Sequence, residues 1–450
     1  VLAAGTYRLD ATLPLAASGT AAAPITLRGD GATIESDTVE ALKISGAHWH
    51  VEDLRFVGVC AVDDDCEHAL HIVGAADGTW LRDSVLVDFN AQVKGNGEDT
   101  GAGYEWPDDV VIEGNDLHDT RPRSTANPVT KIDVVGGRRW RVEANRISDF
   151  EKAGGDAVSY AAFLKGNSRD GVFARNLVVC SEAFTGGVRV GLSLGGGGTS
   201  PDTICEDGTC SPEHQGGVIR NNVIARCDDV GVYLNEAADT RVLANTLYAT
   251  AGIDVRFPAS TVELANNLLD ADIRERDGGT ATRGTNWEGV ALGAVFADPD
   301  ALDFTLVADP GVVDAGDARA DVTDDFCGNA REPAQDGGAL EYTTAAPCDT
   351  TVAHPAADPD SGDTGDTGAP TDTGDTGTPD TGTPDTGTPG DPAPTTDAGC
   401  GCATAAPARL GVTVLLALVV AVRRRVPAGP RCAPARSRVT LGRFLESRCS

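Results

Sequence analysis

Six asparagines in the middle of the chain share one setting, with a large apolar residue three positions before and another two positions after. The centres are Asn115, Asn145, Asn176, Asn222, Asn245 and Asn267. Ile112, Val142, Phe173, Ile219, Val242 and Leu264 precede them; Leu117, Ile147, Val178, Ile224, Leu247 and Leu269 follow. The last three centres are 23 and 22 residues apart, and the earlier steps of 30, 31 and 46 read as the same unit with loops inserted. A period above about twenty residues marks a stacked-repeat architecture. Two upstream segments keep the spacing without the Asn: Val51, Leu54 and Phe56, then Leu81, Ser84 and Leu86. The repeat is therefore expected to run from near residue 1 to about residue 300.

The repeat unit is rich in Val, Ile, Thr and Gly and holds no helix-length amphipathic run. Short alternating stretches recur instead, such as Ile132-Asp133-Val134, Val188-Arg189-Val190, Val232-Tyr233-Leu234 and Ile253-Asp254-Val255. Alternation over a few residues, broken by Gly, Asn and Asp, predicts short strands and turns. Three strands and three turns fit about 22 residues at ~3.3 Å of rise per strand residue. The expected fold is therefore all-β, a parallel β-helix. The Asn column is assigned to one bend, where Asn tolerates left-handed backbone and its amide bonds the Asn above and below.

The chain has 450 residues and a net charge of −32. Residues 1–348 carry −29, residues 349–398 carry −11 and residues 399–450 carry +8. A body this acidic excludes nucleic acid as a partner, because phosphate binding needs clustered Lys and Arg. It is compatible with bound calcium, though no cofactor is required. There is no Met, and Val1-Leu2-Ala3-Ala4-Gly5 opens inside a structural segment, so a fragment lacking its N-terminus is expected. Eight cysteines pair by proximity: Cys60 with Cys66, Cys205 with Cys210, Cys327 with Cys348, and Cys180 with Cys227 across two coils. Such pairing points to an oxidising compartment.

Residues 349–398 are a Pro/Thr/Gly/Asp tract with almost no apolar content, expected to be a disordered spacer. Cys400-Gly401-Cys402, an apolar run at 410–422 and Arg423-Arg424-Arg425 follow, read as a 399–425 segment with a short hydrophobic helix. Thirteen residues rise only ~20 Å as helix, short of a bilayer core. Their order, with small residues and Cys ahead of an apolar helix and an Arg cluster, looks like the C-terminal sorting signals of myxobacterial-type surface proteins. That resemblance implies a sortase-like membrane protease as partner, Cys400 or Cys402 as the processing point, and a body anchored outside the cell on the bacterial envelope. The Arg-rich residues 426–450 depart from the pattern.

The repeat itself resembles the right-handed parallel β-helix proteins of the pectate-lyase-like superfamily over residues 1–345. The closing stretch from Val313-Asp314-Ala315-Gly316 to Asp336-Gly337-Gly338-Ala339-Leu340-Glu341 is similar to the end of many bacterial secreted β-helix proteins. It is expected to cap the domain at residues 1–348. Enzymes of that superfamily place their sites on the outer side of one strand face. Reading the alternating strands outward gives Asp133, Lys165, Arg189, Tyr233, Asn235, Asp254 and Arg256. Lys165, Arg189, Tyr233 and Arg256 are the catalytic candidates, and Asp133, Asn235 and Asp254 the substrate-binding ones. Phe163-Leu164-Lys165-Gly166 followed by Arg189 resembles the Lys/Arg pair of chondroitinase-B-like and alginate lyases. On that likeness Lys165 is the base and Arg189 the acid or charge stabiliser. The reaction implied is β-elimination from a uronic-acid polymer. Asp63, Asp64, Asp65 and Glu67 form the candidate calcium loop. Gly191-Leu192-Ser193-Leu194-Gly195 fits a nucleophile elbow but lacks its strand-turn-helix context. The expected function is a surface-anchored, monomeric protein that binds and cleaves an acidic polysaccharide. The alternative is a non-catalytic carbohydrate-binding, adhesion or structural surface protein.

Overall fold

The computed structural model describes residues 1–354 apart from 197, 309–310 and 345–346. The spacer, Cys400 and Cys402, the apolar run and the Arg-rich extension lie outside the described residues. The described chain forms a right-handed parallel β-helix. One face is a ten-stranded parallel sheet, from Leu13–Leu15 through Val129–Val135, Val158–Lys165, Val188–Gly195, Val232–Asn235 and Ile253–Arg256 to Ile273–Arg276. The other two faces are short strands on either side of the Asn bend, such as Arg141–Glu143 and Arg146–Ser148, each paired in register with its equivalent one coil away.

Register piles like on like. On the ten-stranded face the inward column runs Leu70, Val93, Ile132, Ala162, Leu192, Val232, Ile253. These side chains are fully buried in one continuous core. A second inward column, Val134, Leu164, Leu194, Leu234 and Val255, runs beside it, so the hydrophobic period in sequence is the trace of a core two residues wide per strand.

The Asn column forms as a hydrogen-bonded ladder. Each of the six asparagines accepts, through its Oδ1, the backbone N–H of the residue at the same corner one coil earlier. From Asn115 onward the earlier Asn adds its Nδ2 to the same acceptor, and all these contacts measure 2.9–3.1 Å. The second Nδ2 hydrogen reaches backbone carbonyls such as Ile112 O and Val142 O. The ladder extends beyond the sequence reading to Asn286 at one end; at the other it ends on Ser84, already placed at this corner by its spacing, whose Oγ accepts from Leu54 N. One expectation is corrected. The left-handed residue is not the Asn but the one before it: Asp53, Asp83, Gly114, Ala144, Arg175, Asn221, Ala244 and Asn266 all have φ between 50° and 69°. The Asn is kept for its amide, and the left-handed geometry falls on the preceding residue, whose type changes from coil to coil.

The closing segment does not sit at the end of the solenoid, as expected of a cap. It folds back along the flank. Leu292, Phe296, Phe304, Phe326 and Leu340 pack on Leu177, Val179, Val223, Ala225 and Leu268, which point outward from successive coils. Asp324 binds Arg220 and Asn221, and Arg331 Nη2 donates to Asn221 Oδ1 at 2.9 Å. All four expected cysteine pairs are disulfides; Cys180–Cys227 joins neighbouring coils with a Cα–Cα distance of 4.9 Å.

The ladder carries a prediction. Asn222→Ala strips Asn176 N and Asn176 Nδ2 of their acceptor and leaves Phe173 O without its donor, all in the dry interior. Two or more buried groups left unmatched cost roughly 2–5 kcal/mol. Urea unfolding should show a lowered midpoint at unchanged slope, and a loss below about 0.5 kcal/mol would contradict the role.

Candidate functional site

The outer side of the ten-stranded sheet carries two adjacent columns. One reads Lys43, His71, Lys94, Asp133, Phe163, Ser193, Tyr233, Asp254, Arg274. The next reads Asn96, Val135, Lys165, then Gly195, Asn235, Arg256, Arg276, with Lys165 following the Leu164–Leu194 pair into line with Gly195. The single row expected from sequence is therefore two.

Above these columns lies a hollow of about 590 Å³. Its floor is Asp133, Phe163 and Lys165; Lys94, Lys152, Asp156 and Tyr160 line its sides, and Gly198, Thr199 and Ile204 roof it. The roof belongs to the long excursion after Gly195, which is tied down at several points. Glu213 accepts from Gly166 N and Thr199 Oγ1, both at 2.7 Å, and Glu206 accepts from Gly137 N and Arg138 Nε. Trp106 Nε1 donates to Ile204 O at 3.1 Å, and Cys205–Cys210 closes the loop tip. Gly136, at φ +86°, gives Trp106 its seat: a Cβ there would come within 2.1 Å of the indole.

Lys165 sits under this roof with its Nζ 4.8 Å from the Phe163 ring centre and donates to Gly198 O at 3.2 Å. Among the described residues no carboxylate forms an ion pair with it. Burial holds its pKa below the ordinary lysine value, Asp133 pulling the other way and Lys94 adding to the depression. Tyr160 packs edge-on against Phe163, ring centres 5.5 Å apart, and burial pushes its phenol up to about 12. Its hydroxyl has no hydrogen-bond partner among the described residues. Lys94 pairs with Asp133 at 2.6 Å and Lys152 with Asp156 at 2.7 Å. Three ammonium groups thus face two carboxylates in one hollow of a strongly acidic chain.

Several sequence candidates land elsewhere. Arg189 is a correction: it aligns with Ser159, six residues from Lys165 along the strand, and is completely buried. Its guanidinium donates to the carbonyls of Cys180, Phe184 and Gly186, to Ser181 Oγ and to Glu151 at 2.7 Å. At 0% exposure it is out of a ligand's reach. Asp254 is another: Arg274 and Arg276 each hold one of its oxygens at 2.6 Å, and it is 1% exposed. Tyr233 and Asn235, two strands beyond Lys165, and Arg256, three beyond it, line a second hollow of about 390 Å³, so they are not brought to the same centre. Ser193 is buried and donates to Gly195 O, as its strand setting implied.

The residues do not fit calcium. In the acidic loop, Asp63 is clamped by Arg121 and Arg123, Asp64 accepts from Thr125 Oγ1, and Glu67 accepts from Asn90 and Asn127, while Asp65 stands exposed at the end of a single 3₁₀ turn. In the main hollow both carboxylates already hold lysines. Sequence reasoning missed Lys94, Lys152 and Tyr160. Lys94 and Asp133 are 39 residues apart and meet only through register. Tyr160 escapes simple alternation because Ala161 and Ala162 are both fully buried, which breaks the period before Phe163.

No protein-family model matches the chain, and no curated protein sequence does. Among solved structures, pectate lyase Pel9A superposes with a TM-score of 0.55 at 14% identity, covering 76% of this chain and 86% of that one. A rhamnogalacturonan lyase gives 0.43 at 12% identity over 76% and 87% of the two chains. A polysaccharide lyase from Pseudopedobacter saltans gives 0.29 at 15% identity over 78% and 93%. At 14% identity the likeness to pectate lyase Pel9A is one of fold: the chain is built as a parallel β-helix.

Proposed function

We propose that the β-helix cleaves an acidic polysaccharide by β-elimination in the hollow around Lys165. The observation that carries the reading is a desolvated, ion-pair-free Lys165 beside an unpartnered Tyr160, ringed by Lys94 and Lys152. A uronate carboxylate placed between Lys94 and Lys152 has its charge neutralised, which acidifies the proton at C5. Neutral Lys165 Nζ takes that proton. The electron pair forms the C4–C5 double bond as the C4–O4 bond breaks, and the Tyr160 hydroxyl gives its proton to O4. Proton exchange with solvent then restores neutral Lys165 and the Tyr160 phenol. The four disulfides and the acidic body support placement outside the cell, and the Cys400–Arg425 pattern supports anchoring at the bacterial surface.

The test is incubation with polygalacturonate, alginate and glycosaminoglycans, followed by ultraviolet absorbance of the unsaturated product. Lys165→Ala and Lys165→Arg should each lower kcat by about 10²–10⁴, the arginine because it does not deprotonate. Tyr160→Phe should lower kcat more than it raises KM. Because the base must be neutral and its pKa is depressed, kcat/KM should rise with pH through an ionisation below the ordinary lysine range, and that limb should vanish in Lys165→Ala. Chelation should leave the rate unchanged. Binding without any product would convert the reading to a carbohydrate-binding module; no binding to any polyuronate would remove both.

Arg189 provides the contrast. Arg189→Met leaves Glu151 buried without its partner and should cost ~3–5 kcal/mol in urea unfolding. The fraction that remains folded should still bind polyuronate with wild-type affinity.

A further inference from the structure

The second hollow meets the first at Tyr160 and Gly198, which line both. Its polar groups are placed to meet a ligand. Asn235 is 7% exposed, and its side-chain amide has no hydrogen-bond partner among the described residues. Arg256 is fixed rather than mobile: Asp277 holds its Nε at 2.5 Å, its Nη1 donates to Tyr233 Oη at 3.1 Å, and its guanidinium lies 4.6 Å over the Phe257 ring. These contacts leave guanidinium hydrogens unspent on a wall of the hollow, with the side chain 35% exposed.

Lys165, Gly195, Asn235 and Arg256 occupy one column, so Arg256 stands three strand spacings, ~14 Å, along the solenoid from Lys165. A residue of an extended pyranose chain advances by about one such spacing. A chain lying along the sheet with one uronate at Lys165 therefore brings its third neighbour to Arg256. Gly195, between them, has no side chain of its own, and Glu213 and Gly198 of the excursion form the wall beside the path. We infer that Arg256, with Asn235 and Tyr233, is a specificity-determining subsite for the carboxylate of a uronate three residues from the sugar held at Lys165. Arg256 is accordingly a binding residue and not a catalytic one. The inference rests on a polyuronate occupying the Lys165 hollow, but not on cleavage there.

The test uses Lys165→Ala protein and calorimetric titration with oligogalacturonates and oligomannuronates from dimer to hexamer. Affinity should rise by about 10-fold or more once the oligomer is long enough to span from Lys165 to Arg256, the scale of one charge-assisted contact. Arg256→Gln should abolish that step while leaving dimer affinity within about two-fold, and Arg256→Lys should restore part of it. Carboxyl-reduced oligomers should show no step. Equal loss for dimer and hexamer, or a step that survives Arg256→Gln, would overturn the proposal. Absence of unsaturated product from the wild-type protein with the step intact would sink the elimination and leave the subsite standing. Unaltered length dependence in Arg256→Gln with product still formed would do the reverse.

Discussion

Each buried asparagine of the corner column has an amide to satisfy and no water to do it with. The chain solves this by making every coil's Asn the partner of the next, so the ladder exists only if all coils are in register. A slip of one residue anywhere would turn the inward column of Leu, Val and Ile toward solvent and strand two amides at once. Loops of quite different length leave the coils without disturbing this. The step from Asn176 to Asn222 is twice that from Asn245 to Asn267, yet both pairs make the same bonds.

Register is also what makes a site. Lys94, Asp133 and Lys165 come from three different strands, and nothing in their local sequence brings them together. What changes Lys165 from a surface lysine into a candidate base is the roof. The excursion after Gly195 is anchored through Glu213, Glu206 and Ile204 to Gly166, Arg138 and Trp106, all just past the strand ends on one edge of the sheet, and it removes water from above the amine. Against the acidic body three lysines gather in this one hollow, two of them paired with Asp133 and Asp156 and the third, Lys165, without an ion pair among the described residues.

The repeat, the strand faces and the disulfides were legible because they depend on spacing, and spacing survives in a sequence. The ladder's end at Ser84 was found by spacing, but the one at Asn286 was not, because Asn286 is followed by Trp287 and Glu288 instead of an apolar strand. Arg189 failed for a different reason. Alternation says that a residue leaves the core face, not whether other backbone waits beside it, and here the 180–186 turn wraps the guanidinium in carbonyls. Asp254 failed likewise, because its two arginine partners lie 20 and 22 residues downstream and arrive only when the coils stack. Lys165 was found from its neighbours Phe163 and Leu164, but its depressed pKa belongs to the roof.

The segment that folds back along the flank has a consequence for how the domain comes into being. Leu177, Val179, Val223, Ala225 and Leu268 are apolar residues on the outside of coils, and what covers them is made after the coils themselves. During synthesis those coils can wind and stack while presenting a greasy stripe to their surroundings, until residues 292–340 emerge and lie down upon it. A solenoid whose coils touch only their neighbours tends to fray coil by coil. By bridging coils from Leu177 to Leu268, the late strap ties their fates together and turns the second half of a one-dimensional stack into something that opens as a block.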